Sequence, residues 1–174
     1  MHSIRTFCTF TLTALVVAVC TVPGSVSAIE TAVVETAPLP GAAVTVIGAN
    51  GSINVTVAEL EAIGLKRVTT HSPWEKGQLV FEGILFRDFL KKVGLDDAEA
   101  VLVRAKDNYT QSIPRKDWTD GPLLLATRQN GKPLTLRTQG PIRLVYPLLD
   151  YPEYDTEIHK RRWVWAITSV EHTQ

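Results

Sequence analysis

The chain has 174 residues, with 18 basic and 18 acidic side chains and a formal net charge of zero. This balance argues against a nucleic-acid partner, because binding to phosphates needs a concentrated basic surface. The two cysteines, Cys8 and Cys20, both lie in the first 20 residues. The remainder of the chain therefore has no disulfide, no thiolate nucleophile and no thiolate metal ligand.

Residues 1–28 have the pattern of a cleavable secretory signal peptide. Arg5 is followed by an uncharged apolar run from Phe7 to Val22, and small residues precede a predicted cleavage site at Ala28. The run is shorter than the roughly 20 residues that cross a bilayer. We expect a periplasmic or secreted protein that does not span a membrane after processing. The remaining residues, 29–174, carry 17 basic and 18 acidic side chains.

The first part of the mature chain predicts short strands around a small helix. Residues 29–43 have no apolar period and predict a flexible lead-in to a single domain over 44–174. Thr56 and Glu59 form a capping box, which predicts a helix that ends at Gly64. Strands are predicted on both sides of this helix, at Val44–Gly48, Ile53–Val55, Leu65–Thr70 and Gln78–Phe81.

The clearest helix opens at Gly83, and Gly94 stands at its C-terminal cap position. Its apolar side chains recur at helical spacing, at Leu85, Phe86, Phe89, Leu90 and Val93. Six further strands are predicted, at Ala100–Ala105, Tyr109–Ile113, Leu123–Arg128, Leu134–Arg137, Ile142–Tyr146 and Trp163–Val170. Asn130-Gly131 predicts a tight hairpin, and Pro133 an edge position. Short strands interrupted by a few small helices predict an α+β fold with a mixed, mostly antiparallel sheet.

The familiar catalytic motifs are missing from the sequence, which has no phosphate-binding glycine loop, nucleophile elbow, zincin helix or EF-hand loop. His71, at the end of a predicted strand beside Ser72-Pro73-Trp74, could enter a pocket, although an ordinary hydrogen-bonded histidine has the same pattern. The run from His159 to Arg162 could hold an anion, because arginine offers forked donors to phosphate oxygens. Trp163 and Trp165 are predicted to share one face of a strand and to pack in the core.

A series of short segments, taken in order, resembles the sulfite oxidase-like oxidoreductase molybdopterin-binding family, and in particular its compact exported single-domain branch. The segments are Trp74, Phe81-Glu82-Gly83-Ile84-Leu85 with Phe89-Leu90 and Gly94, Leu124-Leu125-Ala126, Asn130-Gly131-Lys132-Pro133-Leu134 and Gly140-Pro141-Ile142-Arg143-Leu144-Val145-Tyr146-Pro147. The resemblance covers roughly Val44 to Glu171. It implies the molybdopterin-binding fold of that family.

The family's enzymes hold molybdenum through a cysteine thiolate, and the resemblance implies that this ligand is absent here. Its position falls in the stretch Val68 to Ser72, which contains no cysteine. A hydroxyl does not replace a soft thiolate on molybdenum. The resemblance also implies that Arg143 and the basic segment before the last strand can hold a pterin phosphate or another anion. An Arg143 that pairs with an acidic neighbour and supports the fold fits the sequence equally well. The site residues implied in this way are Thr70, His71, Trp74, Arg143, Lys160, Arg161 and Arg162, with no catalytic residue and no metal ligand assigned.

Three functions remain open at this stage. The first is a non-catalytic domain that binds a small anionic ligand or a pterin and reports to a membrane-bound signalling or redox partner. The second is a molybdenum-cofactor oxidoreductase without a cysteine ligand, in which His71, Thr70 or solvent completes the coordination of the metal. The third is an interaction domain that docks through an exposed aromatic loop, Tyr151 to Tyr154. The first is the preferred hypothesis, with a pocket expected between the turn at His71–Trp74 and the Arg143 and Arg161 region.

Overall fold

The structure is a computed structural model that describes residues 29–33, 36–49 and 51–173. The predicted signal peptide, residues 1–28, lies outside these residues and stays a prediction. The described residues form eleven strands in two sheets, four short α-helices and two 3-10 turns. Strand pairing is antiparallel in all cases but one. The predicted α+β fold with a mostly antiparallel sheet is confirmed.

The first sheet carries the more buried strands. Its hydrogen-bonded order is β1-β4-β5-β8-β10, with β9 paired to β8. The two central strands, β5 and β8, have mostly buried side chains on both faces, since helices and loops cover them. The strands of this sheet are β1 (Ile29–Thr31), β4 (Lys66–His71), β5 (Gln78–Leu85), β8 (Leu124–Gln129), β9 (Lys132–Pro133) and β10 (Arg143–Val145).

The second sheet has the order β3-β2-β11-β6-β7. Its central strand is the last one in the chain. That strand pairs in parallel with β2, where Ser169 lies opposite Thr45, and in antiparallel fashion with β6. The strands of this sheet are β2 (Ala43–Gly48), β3 (Gly51–Thr56), β6 (Ala100–Ala105), β7 (Thr110–Pro114) and β11 (Ile167–His172).

The four helices are α1 (Val57–Gly64), α2 (Phe86–Val93), α3 (Lys116–Thr119) and α4 (Glu157–Arg162). The predicted capping box is confirmed, since the Thr56 backbone N–H donates to Glu59 Oε2 at 2.8 Å and the Glu59 N–H donates to Thr56 Oγ1 at 3.2 Å. Phe86, Phe89 and Leu90 of α2 are fully buried. Helix α2 therefore packs its predicted apolar stripe into the core.

Part of the predicted flexible lead-in is a strand. Ile29–Thr31 pairs with β4, and the Ala32 N–H donates to the carbonyl oxygen of Leu65 at 3.0 Å. The prediction for residues 29–43 is wrong over this stretch, because pairing at the edge of a sheet orders a segment that has no apolar period of its own. Such tertiary pairing leaves no local sequence signal.

The predicted strand Leu134–Arg137 is also wrong. A 3-10 turn covers Leu136–Thr138, and the Thr135 N–H donates to Thr138 Oγ1 at 2.8 Å. Threonine side chains that bond to nearby backbone groups compete with strand pairing. The Asn130-Gly131 hairpin just before it is confirmed, with both residues at positive φ.

Gly83 lies in β5 instead of opening a helix. A bulge separates the pairing of Glu82 from that of Gly83, which lies opposite Ala126 of β8. A Cβ atom at Gly83 would collide with the carbonyl oxygen of Leu125. The glycine therefore permits close approach of two central strands, and α2 begins three residues later at Phe86.

Candidate functional site

A pocket of about 430 Å³ opens between the loop after β4, the loop after β6, helix α4 and the segment that leads into β11. We call it the tryptophan pocket, because three indole rings form much of its wall. Both signs of charge occur at its rim. The lining residues are Trp74, Ala105, Asp107, Tyr109, Glu157, Lys160, Arg161, Trp163 and Trp165.

Trp74 is the outermost of the three indoles. Its position is fixed locally, since its backbone N–H donates to Ser72 Oγ at 3.2 Å. The ring is 48% exposed. It packs edge-on against Trp163 and Trp165, with ring centroids 5.8 and 4.9 Å away. Edge-to-face pairs of this kind stabilise the arrangement by about 1 kcal/mol each.

Trp163 and Trp165 lie before β11 and not within it, so the predicted strand from Trp163 to Val170 is wrong over its first four residues. Ala166, at φ 48°, redirects the backbone just before the strand begins. Both rings nevertheless contact Trp74. Both indole Nε1 atoms are buried and have no hydrogen-bond partner within the part of the chain that the structure describes.

Arg143 lies directly behind these indoles. Its side chain is fully buried, and its Cζ atom stands 4.9 Å from the Phe81 ring centroid, 5.7 Å from that of Trp163 and 5.5 Å from that of Trp165. None of its three side-chain nitrogens donates a hydrogen bond to any described residue. Its ion pair is with Glu75, whose Oε1 lies 3.5 Å from Nη1.

The guanidinium of Arg143 keeps its charge at neutral pH. Burial lowers its pKa from the ordinary arginine value to about 10, and the nearby Glu75 carboxylate opposes that shift. A buried charge is normally paired through hydrogen bonds, because removal from water is costly. Arg143 is thus a positive charge held among aromatic rings with few protein acceptors.

The two cations at the rim differ in their availability. Lys160 Nζ lies 2.9 Å from Glu157 Oε1 and 3.6 Å from Asp155 Oδ1, so its charge is largely balanced. The hydrogen bond to Glu157 raises the pKa of Lys160. The Arg161 side chain makes no hydrogen bond or ion pair with any described residue, while its carbonyl oxygen accepts a hydrogen bond from Tyr109 Oη at 2.9 Å. Arg161 is the rim cation available to a ligand.

Four of the seven residues implied by the resemblance do not line the pocket: Thr70, His71, Arg143 and Arg162. The buried Thr70 hydroxyl accepts the Leu148 N–H at 2.9 Å and lies 3.2 Å from the carbonyl oxygen of Tyr146. Thr70 therefore joins β4 to the segment after β10. His71 pairs with Gln78 at the end of the β4–β5 hairpin. The pocket brings together Trp74, Lys160 and Arg161, with Arg143 behind the indole wall.

Arg162 points away from the pocket into a buried polar group, which we call the Asp117 cluster: Asp117, Tyr146, His159 and Arg162. The Asp117 carboxylate is 1% exposed. It accepts hydrogen bonds from Tyr146 Oη at 2.7 Å and Arg162 Nη1 at 3.0 Å, and His159 Nε2 lies 3.9 Å away. Sequence reasoning missed this cluster, because its members come from three separate segments and no local pattern links them.

The aromatic loop Tyr151 to Tyr154 is packed inward. Tyr154 is 8% exposed, and its ring centroid lies 5.4 Å from that of Tyr146 and 4.8 Å from that of His159. Burial is the main cause that raises the pKa of Tyr154 to about 12. The expected exposure of this loop is therefore wrong for Tyr154, whose ring packs against the Asp117 cluster, and docking of a partner through the loop stays a prediction.

Two further features of the described residues bear on the site. No group of three or more His, Cys, Asp or Glu side chains within 29–33, 36–49 and 51–173 is arranged to hold a metal ion. Over the same ranges, no helix has both the length and the apolar character needed to cross a membrane.

The chain is similar to known proteins in both sequence and fold. It is 32% identical over 77 residues to the uncharacterized oxidoreductase YuiH of Bacillus subtilis (strain 168), and this covers 44% of the chain and 39% of YuiH. The crystal structure of the sulfane dehydrogenase SoxCD from Paracoccus pantotrophus has a similar fold. The TM-score is 0.59 at 16% identity, over 75% of this chain and 38% of that one. The chain thus spans about two fifths of the length of each.

The family expected from the sequence is confirmed. The oxidoreductase molybdopterin binding domain matches residues 52–169, which is more than half of the chain. The fold similarity to SoxCD agrees with this match. The site just described therefore lies on a molybdopterin-binding type of domain, and the chain belongs to the oxidoreductase molybdopterin-binding domain family.

Proposed function

We propose that this protein is an exported domain that binds a small anionic ligand or a pterin in the tryptophan pocket and is not itself a molybdenum enzyme. The observation that carries the proposal is Arg143, a fully buried guanidinium surrounded by three aromatic rings and balanced by one ion pair of 3.5 Å, with the partly exposed Glu75. A buried charge that is paired only at this distance favours a further anion nearby.

The residues present do not fit the metal of the family's cofactor. Residues 29–174 contain no cysteine. The Thr70 hydroxyl is already hydrogen-bonded to the backbone, and His71 does not line the pocket. Molybdenum favours a soft thiolate, and no side chain of this domain supplies one. We therefore assign no redox step to this domain.

The residues do fit an anionic organic ligand. Arg161 offers an unpaired guanidinium at the rim, where it can make forked hydrogen bonds to phosphate, sulfonate or carboxylate oxygens. The indoles of Trp74 and Trp165 provide an apolar wall on which a flat ring can lie. Arg143 adds positive potential from behind that wall, in surroundings of low dielectric where charge acts strongly.

Export and signalling form the second part of the proposal. This part is argued from the sequence pattern of residues 1–28, in which an uncharged apolar run is followed by small residues before a predicted cleavage site at Ala28. A domain that binds a ligand without transforming it would act by reporting occupancy to a membrane-bound signalling or redox partner. Mass spectrometry of protein from the exported fraction should give an N-terminus at Ile29, and an uncleaved chain would contradict this part.

The first experiment measures molybdenum and pterin in protein purified from the exported fraction of a host that makes the cofactor. We expect less than stoichiometric molybdenum. Stoichiometric molybdenum together with pterin would overturn the proposal in favour of a molybdenum-cofactor oxidoreductase. Pterin without metal would identify the ligand and keep the proposal.

The second experiment tests the pocket with a defined probe, the fluorescent aromatic sulfonate 8-anilinonaphthalene-1-sulfonate. Arg161→Ala should weaken binding about tenfold, as expected for loss of a charged hydrogen bond. Arg137→Ala is the matched control, because Arg137 is also exposed and lies on the 3-10 turn away from the pocket. Equal affinity of the two variants would show that the probe does not use the tryptophan pocket.

A further inference from the structure

Helix α4 supplies the charged rim of the tryptophan pocket but has little stability of its own. It has six residues, none of which is buried. Isolated helices of this length are unstable in water, because nucleation costs more than a few hydrogen bonds return. At its start, Thr156 Oγ1 accepts the His159 N–H at 3.3 Å. The placement of α4 must therefore depend on contacts made by its side chains.

The side chains of α4 divide between two faces. Glu157, Lys160 and Arg161, at helical spacings of three and four, line the tryptophan pocket. His159 and Arg162, three residues apart, face Asp117 of α3 instead. The helix thus connects the pocket on one side to a buried carboxylate on the other.

We propose that Asp117 is the positioning residue of the tryptophan pocket: its buried carboxylate fixes α4 in place and thereby sets where Arg161 meets a ligand. Asp117 does not line the tryptophan pocket. This inference rests on the proposed function, since it concerns binding at the same pocket.

The geometry explains why a carboxylate is needed at this position. Asp117 Oδ2 accepts hydrogen bonds from both Tyr146 Oη and Arg162 Nη1, at 2.7 and 3.0 Å. The two donors come from the segment after β10 and from the last residue of α4, so one side chain joins both to α3. An amide oxygen can accept both donors, but it carries no charge, and an amide NH2 group would replace Oδ1, which accepts a second contact from Arg162 Nη1 at 3.3 Å.

The path from Asp117 to the pocket is short. Arg162, held by Asp117, is the neighbour of Arg161, whose carbonyl oxygen accepts the Tyr109 Oη hydrogen bond at 2.9 Å. Trp163 follows at once and packs against Trp74 with ring centroids 5.8 Å apart. Movement of Arg162 therefore displaces both the rim cation and part of the indole wall.

The test uses Asp117→Asn with Asp120→Asn as the matched control. Asp120 lies three residues further on, at the exposed end of α3, and its carboxylate accepts a hydrogen bond from the neighbouring Thr119 Oγ1 at 2.9 Å. We expect D117N to bind 8-anilinonaphthalene-1-sulfonate about tenfold more weakly. D120N should bind it like the unmodified protein.

A double variant distinguishes positioning from general loss of stability. If Asp117 acts largely through Arg161, D117N should weaken probe binding much less in the Arg161→Ala background than in the unmodified protein, with only the displaced indole wall still lowering the affinity. The same fold-loss of affinity in both backgrounds would contradict the inference. Hydrogen exchange should also rise over residues 157–162 in D117N while β5 and β8 keep their protection.

The two proposals can fail separately. If Arg161→Ala leaves probe binding unchanged, the proposed function fails. If Arg161→Ala weakens binding but D117N does not, only the positioning role of Asp117 is overturned. Should D117N not fold, Arg162→Gln removes the same contact from the α4 side, and it should weaken probe binding to a similar extent.

Discussion

Two fully buried arginines in the first sheet, Arg128 and Arg143, have opposite surroundings. Arg128 makes a bidentate pair with Glu61, with Nε–Oε1 at 2.9 Å and Nη2–Oε2 at 2.8 Å, and Nη2 also donates to the Thr36 carbonyl oxygen at 2.7 Å. Only its Nη1 has no hydrogen-bond partner among the described residues. Arg143 has no such partner for any of its three nitrogens, and its ion pair with Glu75 spans 3.5 Å.

The difference separates an arginine whose burial the fold explains from one for which we propose a role in ligand binding. Arg128 ties α1 to β8 through Glu61, so the architecture accounts for its burial. The architecture explains Arg143 less completely, because its one ion pair, with Glu75, spans 3.5 Å and fold stability alone favours an apolar side chain over a buried charge without hydrogen bonds. Burial of an arginine therefore does not by itself show what the residue is for; the number of its hydrogen-bond acceptors does.

The largest expected effect is a loss of stability when the ion pair between Arg128 and Glu61 is broken. Glu61→Ala leaves a buried guanidinium without its bidentate partner and should lower the free energy of unfolding by about 3–5 kcal/mol. Urea denaturation followed by circular dichroism measures this change. A loss below about 1 kcal/mol would mean that Arg128 is no better satisfied than Arg143.

The next effect separates stability from binding at Arg143. Arg143→Met keeps most of the volume and removes the buried charge, so the free energy of unfolding should stay within about 1 kcal/mol of its original value or rise. Binding of 8-anilinonaphthalene-1-sulfonate should weaken about tenfold, because the potential behind the indoles is lost. A stable variant with unchanged affinity for the probe would show that Arg143 does not contribute to binding.

A smaller effect is expected from Glu75→Ala. Removal of Glu75 leaves the buried Arg143 unpaired, but the contact is long and Glu75 is 31% exposed, so the free energy of unfolding should fall by about 1–2 kcal/mol, less than for Glu61→Ala. Loss of the opposing carboxylate should make the pocket more attractive to the anionic probe. Tighter binding of the sulfonate in a titration would support this, whereas weaker binding would place Glu75 among the groups that hold the ligand.

The smallest effect concerns pH and His159. Burial lowers the pKa of His159 from its ordinary value of 6.5, with Asp117 opposing the shift and Arg162 and Lys116 adding to it. The unfolded chain therefore binds this proton more readily than the folded one, and stability decreases as the pH falls from about 7 through 6.5 toward the folded pKa. Between pH 7.5 and 5, the melting temperature of the His159→Gln variant should fall by less than that of the unmodified protein. An equal loss in both would exclude His159 as a source of acid sensitivity.

The parts of the fold that were predictable from the sequence are those with local causes. The capping box at Thr56, the apolar stripe of α2 and the Asn130-Gly131 hairpin each depend on residues a few positions apart. Strand β1 was not predictable, because its order comes from pairing with β4. The turn at Leu136–Thr138 was misread, since threonine hydrogen bonds outweighed strand propensity there.

The candidate site divides in the same way. Trp74, Arg143 and Arg161 followed from the resemblance, because the family's ordered motifs contain or flank them. The resemblance also implied Thr70 as a site residue. Its hydroxyl instead bonds to backbone groups of Tyr146 and Leu148 and joins two segments of the fold. No local sequence pattern identified Asp117, because its partners Tyr146 and Arg162 lie 29 and 45 positions away along the chain.

The position of β11 has a consequence for how the chain folds as it is made. The strand lies between β2 and β6, so the second sheet consists of two separate hairpins until Ile167–His172 has left the ribosome. A nascent chain that lacks these six residues cannot complete this sheet. The two hairpins can each form early, but their union into one sheet must wait until β11 has been made.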